Sequence, residues 1–108
     1  MKTYTTEIST DSKWTLVKTK YEHGVIKYQF RCGTEFMKIN GTSKFDNAIP
    51  VMKGFGAVAI QNKNHKSVRL EWHIVNEDGK LVKTFVNLQA LQSDLKIIRI
   101  QNEITIEM

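Results

Sequence analysis

Lys13 to Cys32 reads KWTLVKTKYEHGVIKYQFRC, and its side chains alternate in character every two residues on either side of His23-Gly24. A period of two is the mark of a strand with one buried face. Gly24 can take the positive φ that a tight hairpin turn demands, so the stretch predicts a hairpin closed by a two-residue His23-Gly24 turn. That register sets Tyr21/Ile26, Thr19/Tyr28, Val17/Phe30 and Thr15/Cys32 on one face. Lys20/Lys27, Lys18/Gln29 and Leu16/Arg31 fall on the other. Apolar and basic residues separate, which is what a register with one buried face requires.

Two further stretches read the same way. In SVRLEWHIVNEDGKLVKTFVNL, Ser67 to Leu88, a three-residue Glu77-Asp78-Gly79 loop suits a type I turn closed by a glycine bulge. It pairs Ile74/Val82, Trp72/Thr84, Leu70/Val86 and Val68/Leu88, with Val75/Leu81, His73/Lys83, Glu71/Phe85 and Arg69/Asn87 on the opposite face. In KIIRIQNEITIEM, Lys96 to Met108, alternating isoleucines suggest a third hairpin about Gln101-Asn102-Glu103. Between these, Leu88, Leu91 and Leu95 recur at helical spacing behind Asn87, a fair N-cap, and predict one short helix. Further strands are expected around Tyr4 to Ser9 and Glu35 to Asn40.

The segment from 43 to 66 is less regular. Asn47 and Pro50 fit the first turn of a helix, but Gly54 and Gly56 each cost about 1 kcal/mol in a helix interior. A loop or short helix leading to a strand from Gly56 to Gln61 is expected. Within it, KGFGAVAI, Lys53 to Ile60, resembles the ribonucleoprotein octamer of the RNA-recognition motif at Lys53, Gly54, Phe55 and Gly56. It departs from that octamer at Ala57, where the family carries a stacking aromatic. The family's fold also implies a helix and a strand between Cys32 and the octamer, and about twenty residues are too few for both. The octamer is therefore expected to be structural, a glycine-permissive entry to a strand with Phe55 in the core.

A chain of 108 residues suits one domain with a core of its own. The expected fold class is α+β: a single compact domain, mostly antiparallel β hairpins with one or two short helices. No apolar run approaches a membrane span, no signal-peptide core opens the chain, and Cys32 is the lone cysteine. These features lead us to expect a cytoplasmic protein that does not engage a membrane. His23, His65 and His73 have no metal-ligand spacing, and nucleotide-binding and nucleophile-elbow motifs are missing, so no metal and no cofactor are expected.

The formal net charge is +5, with a pI near 9.4. It comes from thirteen lysines and only three arginines. A lysine is a point charge rather than a base-reading fork, which points to anion attraction with little sequence specificity. The expected partner is nucleic acid, DNA or RNA, held through Lys18, Lys20, Lys27 and Arg31 on the hairpin's basic face, helped by Lys63 and Lys66. The alternative is an acidic protein surface. The chain would then be a small inhibitor or adaptor, of the sort viruses and mobile elements carry, docking by a β edge or by the face around Phe85. A third reading is a ribonuclease, because Arg69, Glu71 and His73 alternate on one strand face and could supply a cation, a base and an acid.

Overall fold

In the computed structural model, which describes residues 3–62 and 69–107, the chain forms eight strands and then one helix. In order they are β1 (Tyr4–Ile8), β2 (Thr15–Lys20), β3 (Ile26–Cys32), β4 (Glu35–Phe36), β5 (Asn47–Met52), β6 (Phe55–Asn62), β7 (Arg69–Asn76), β8 (Leu81–Phe85) and α1 (Leu88–Glu107). The strands make two antiparallel meanders, β1-β2-β3-β4 and β5-β6-β7-β8. The α+β class with mostly antiparallel hairpins is therefore observed.

Three layers result. Leu16, Phe30, Phe45, Val51, Val58 and Val75 form a core between the two sheets. Ala57, Ala59, Trp72, Ile74, Leu91 and Leu95 form a second core between the β5–β8 sheet and α1. The β5–β8 sheet is thus the middle layer, and alternate residues of β6 and β7 serve different cores. The two alanines of KGFGAVAI lie on the helix side, where their small size admits α1 close to the sheet.

The first hairpin forms, but one residue out of the expected register. Leu16 faces Phe30, Lys18 faces Tyr28 and Lys20 faces Ile26. The turn is a three-residue Glu22-His23-Gly24 loop, with Tyr21 N–H donating to the Val25 carbonyl and Gly24 at φ +82°. Both central residues of a two-residue type I′ turn need positive φ, which His23 would take at a cost. The longer loop asks it only of Gly24, and it brings Leu16 and Phe30 together in the core.

The Glu77-Asp78-Gly79 loop is as expected, with Asn76 N–H on the Lys80 carbonyl. A register shift between Ile74 and Val75 then changes the pairing beyond Val75/Leu81. Ile74 meets Lys83, His73 meets Thr84 and Trp72 meets Phe85.

Two other expectations are corrected. The third hairpin does not exist, because α1 runs through it to Glu107. Gln101-Asn102-Glu103 has no glycine to turn on, and the spacing Leu91, Leu95, Ile98 continues helically. Arg99 donates to the carbonyls of Phe55 and Pro50, and Asn102 to that of Lys53, which fixes the helix to the β5–β6 hairpin. The Asn87 cap is observed, with Gln89 N–H 2.8 Å from its Oδ1.

The segment from Asn47 is strand β5 rather than loop or helix. Pro50 is accommodated because β5 is an edge strand and breaks register between Ile49 and Met52. The "KG" of the octamer is a two-residue hairpin turn, Lys53 at φ +53° and Gly54 at +88°. Phe55 is half-buried against the helix-side core.

Candidate nucleic-acid interface

The observed register redistributes the four cations assigned to one basic face. Lys18 and Lys20 lie on the side of Leu16, whereas Lys27 and Arg31 project from the opposite side. This corrects the single basic face, which depended on a pairing one residue away.

Lys27 and Arg31 are also engaged within the fold. Lys27 Nζ pairs with Asp46, whose other carboxylate oxygen accepts from Gln61 N–H at 2.8 Å. Asp46 sits where the chain leaves Phe45, which bridges to Tyr28 on β3, and enters the middle sheet. Lys27 therefore braces the crossing between sheets. Arg31 pairs with Glu7 across β2 and ties β1 to β3. Lys63 and Lys66 lie outside the described residues, as does the Arg69 side chain.

What the register does assemble is a mixed surface on the Leu16 side of the first sheet. Two cross-strand rows run over β1, β2 and β3: Tyr4–Lys20–Ile26 and Thr6–Lys18–Tyr28. Nearer Leu16 and Phe30 the same face is closed by the middle sheet. Toward the hairpin tip it opens: Tyr4 is 63% exposed, Lys20 is exposed, and Lys18, Ile26 and Tyr28 are half-buried. Among the described residues neither Lys18 nor Lys20 forms an ion pair. On the other side of the sheet, close to the tip, Lys44 Nζ stands 5.7 Å from the centre of the Tyr21 ring. Lysines interleaved with tyrosines on a sheet face offer point charges to phosphates and rings to bases. Sequence reasoning found Lys18 and Lys20 but missed Tyr4 and Tyr28. The signal available was the three-residue loop ending in glycine, which it recognised in the second hairpin.

The other two candidate sites look different. His73 is 2% exposed, with Nδ1 2.9 Å from Thr84 Oγ1 and Nε2 3.9 Å from Glu71 Oε2. Burial lowers its pKa from the usual histidine value, against the opposing pull of Glu71. A ring inside the protein and biased to the neutral form is poorly placed to protonate a leaving oxygen on RNA. The face around Phe85 is partly covered by α1. Phe85 packs into the helix-side core, and Lys83, over its ring, reaches Asp94 of α1.

A groove of about 530 Å³ separates the β5–β6 hairpin from α1, lined by Ile49, Met52, Leu95 and Ile100 beside Lys53 and Arg99. Of the three cations that line it, Lys53 is held by Glu103 and Arg99 by backbone carbonyls, while Lys96 forms no ion pair among the described residues. Among the described residues no group of three or more histidine, cysteine or acidic side chains could hold a metal, and no helix is long and apolar enough to cross a membrane.

No protein-family model matches the chain, and neither a curated protein nor a solved structure does.

Proposed function

We propose that the protein binds single-stranded nucleic acid on the open half of its first sheet, with little sequence specificity. The observation that carries this reading is the pair of rows Tyr4–Lys20–Ile26 and Thr6–Lys18–Tyr28 on one face, their lysines without acidic partners among the described residues. Lys18 and Lys20 hold phosphates, Tyr4 presents its ring to bases, and Tyr28, packed in part against the inter-sheet core, adds only the part of its ring that stays exposed. The absence of an arginine fork from these rows fits backbone attraction better than base readout. Single strands fit better than duplex, because only unpaired bases can stack on a tyrosine. A lone cysteine suits the cytoplasmic setting that goes with this reading.

The test is a salt titration of oligonucleotide binding. Two neutralised phosphates contribute about −1.4 to the slope of log affinity against log salt on single strands. Replacing Lys18 and Lys20 by Gln should flatten the slope by that amount. Replacing Lys27 and Arg31 by Gln should leave the slope nearly unchanged and lower stability instead. Tyr4→Ala should cost about 1–3 kcal/mol of binding if the ring stacks on a base. Unchanged affinity and slope in the Lys18/Lys20 double variant would overturn the reading and favour an acidic protein partner.

A further inference from the structure

A sheet edge exposes unpaired N–H and C=O groups that can template another strand, and proteins blunt such edges with shortness, bulges, proline or lysine. Three of the four edges here are blunted. β5 carries Pro50 and breaks register between Ile49 and Met52. On β8, Lys83 is central and the register breaks at Ile74/Val75. β4 is two residues long.

β1 has none of these features. Its five residues pair in unbroken register with β2, and all five are exposed, Tyr4 at 63% and Ile8 at 39%. The strand contains no proline and no cation. Its only charge, Glu7, is engaged by Arg31.

The edge is also complementary to itself. Antiparallel pairing about a two-fold axis at Thr6 sets Tyr4 against the partner's Ile8, Thr5 against the partner's Glu7, and Thr6 against the partner's Thr6. That makes two aromatic–β-branched pairs and a central threonine pair, the kinds that stabilise neighbouring strands, with no like charges opposed.

We propose that β1 is a homodimer edge: a second copy of this chain pairs with it antiparallel about Thr6. The product is one eight-stranded sheet in the order β4-β3-β2-β1-β1-β2-β3-β4. Such an isologous contact closes on itself and does not propagate into a filament. The axis stands perpendicular to the sheet, so Lys18 and Lys20 of both copies lie on the same side. The proposal does not depend on nucleic-acid binding, and the two respond oppositely to salt. Copies carrying +5 each repel at low ionic strength, so salt strengthens their pairing by screening while weakening any hold on phosphates. A five-residue edge is a small interface, and the dimer is correspondingly weak.

Sedimentation equilibrium of the full chain over rising concentration, at low and at moderate salt, tests this. The mass should climb from 12.5 kDa toward twice that value, and more readily at the higher salt. Thr6→Lys and Thr6→Glu each oppose like charges across the axis and should each weaken association about fivefold. An equimolar mixture of the two variants should associate at least as well as the parent. Thr6→Cys in a Cys32→Ser background should cross-link under mild oxidation, a readout that needs no change of charge. A parent chain that stays at 12.5 kDa up to its solubility limit would overturn the proposal. So would association that all the Thr6 variants leave unchanged, since the contact would then lie elsewhere.

Discussion

Among the described residues His73 is the buried titratable side chain of the middle layer, opposite Val58 on one side and Thr84 on the other. Desolvation lowers its pKa, and Glu71 only partly offsets that. Because the folded value lies below the unfolded value of about 6.5, the neutral ring favours the native state. Its contribution is fully present above about pH 6.5 and is lost as pH falls through the folded value. Urea midpoints should therefore drop between neutral and mildly acidic pH. His73→Gln, which keeps a polar side chain near Thr84, should lower stability at neutral pH and reduce that drop. An equal drop in parent and variant would assign the acid sensitivity to another group. The same two facts, burial and a bias toward neutrality, weaken the ribonuclease reading of Glu71 and His73.

A hairpin's turn decides which side chains share a face, because a slip of one residue moves every side chain across the sheet. In the β2–β3 hairpin that decision falls on Gly24, the one residue of its loop with positive φ. Nothing lies within 4 Å of where a Gly24 Cβ would sit, so strain alone opposes Gly24→Ala. The expected cost is about 1 kcal/mol, read as a fall in melting temperature of several degrees. An equally stable variant would show that this turn does not hold the register. Most strands were legible from alternation, and Glu77-Asp78-Gly79 was legible as a bulged loop. The equivalent Glu22-His23-Gly24 loop is not legible in the same way, because the separation of apolar from basic residues identifies a register only where one face is wholly buried. In the fold only the half around Leu16 and Phe30 is covered, and lysines share that face with tyrosines toward the tip. The length of α1 was hidden for a related reason. Ile98, Ile100, Ile104 and Ile106 alternate like a strand, and the bonds from Arg99 and Asn102 that favour the helix reach residues more than forty positions away. Half of the candidate site was visible as Lys18 and Lys20. Tyr4 and Tyr28 join it only through the correct register, and Lys27 and Arg31 leave it through ion pairs with Asp46 and Glu7, which local pattern does not reveal.

Across the molecule the layers differ in how they can open. β6 and β7 have a paired strand on each side, a sheet over one face and α1 over the other. Ala57, Val58 and Ala59 of β6 and Trp72 to Val75 of β7 are buried. Their amides have no route to solvent short of global unfolding, whereas β1, exposed along its length, can detach locally. Hydrogen exchange on dilute protein should therefore be slowest at Ala57–Ala59 and Trp72–Val75 and fastest among the strands at Tyr4–Ile8. A core substitution separates the two modes of opening. Leu91→Ala removes a fully buried side chain between α1 and the middle sheet and should cost about 2–5 kcal/mol. The slow amides of β6 and β7 exchange through the globally unfolded state, so their protection should fall by that same free energy. Protection of β1 should not change, because its opening leaves the contacts of Leu91 intact. If β1 were as protected as β6 in dilute parent protein, or lost protection in step with it in Leu91→Ala, the first sheet would open only together with the rest of the molecule, and its edge would not be an independently opening element.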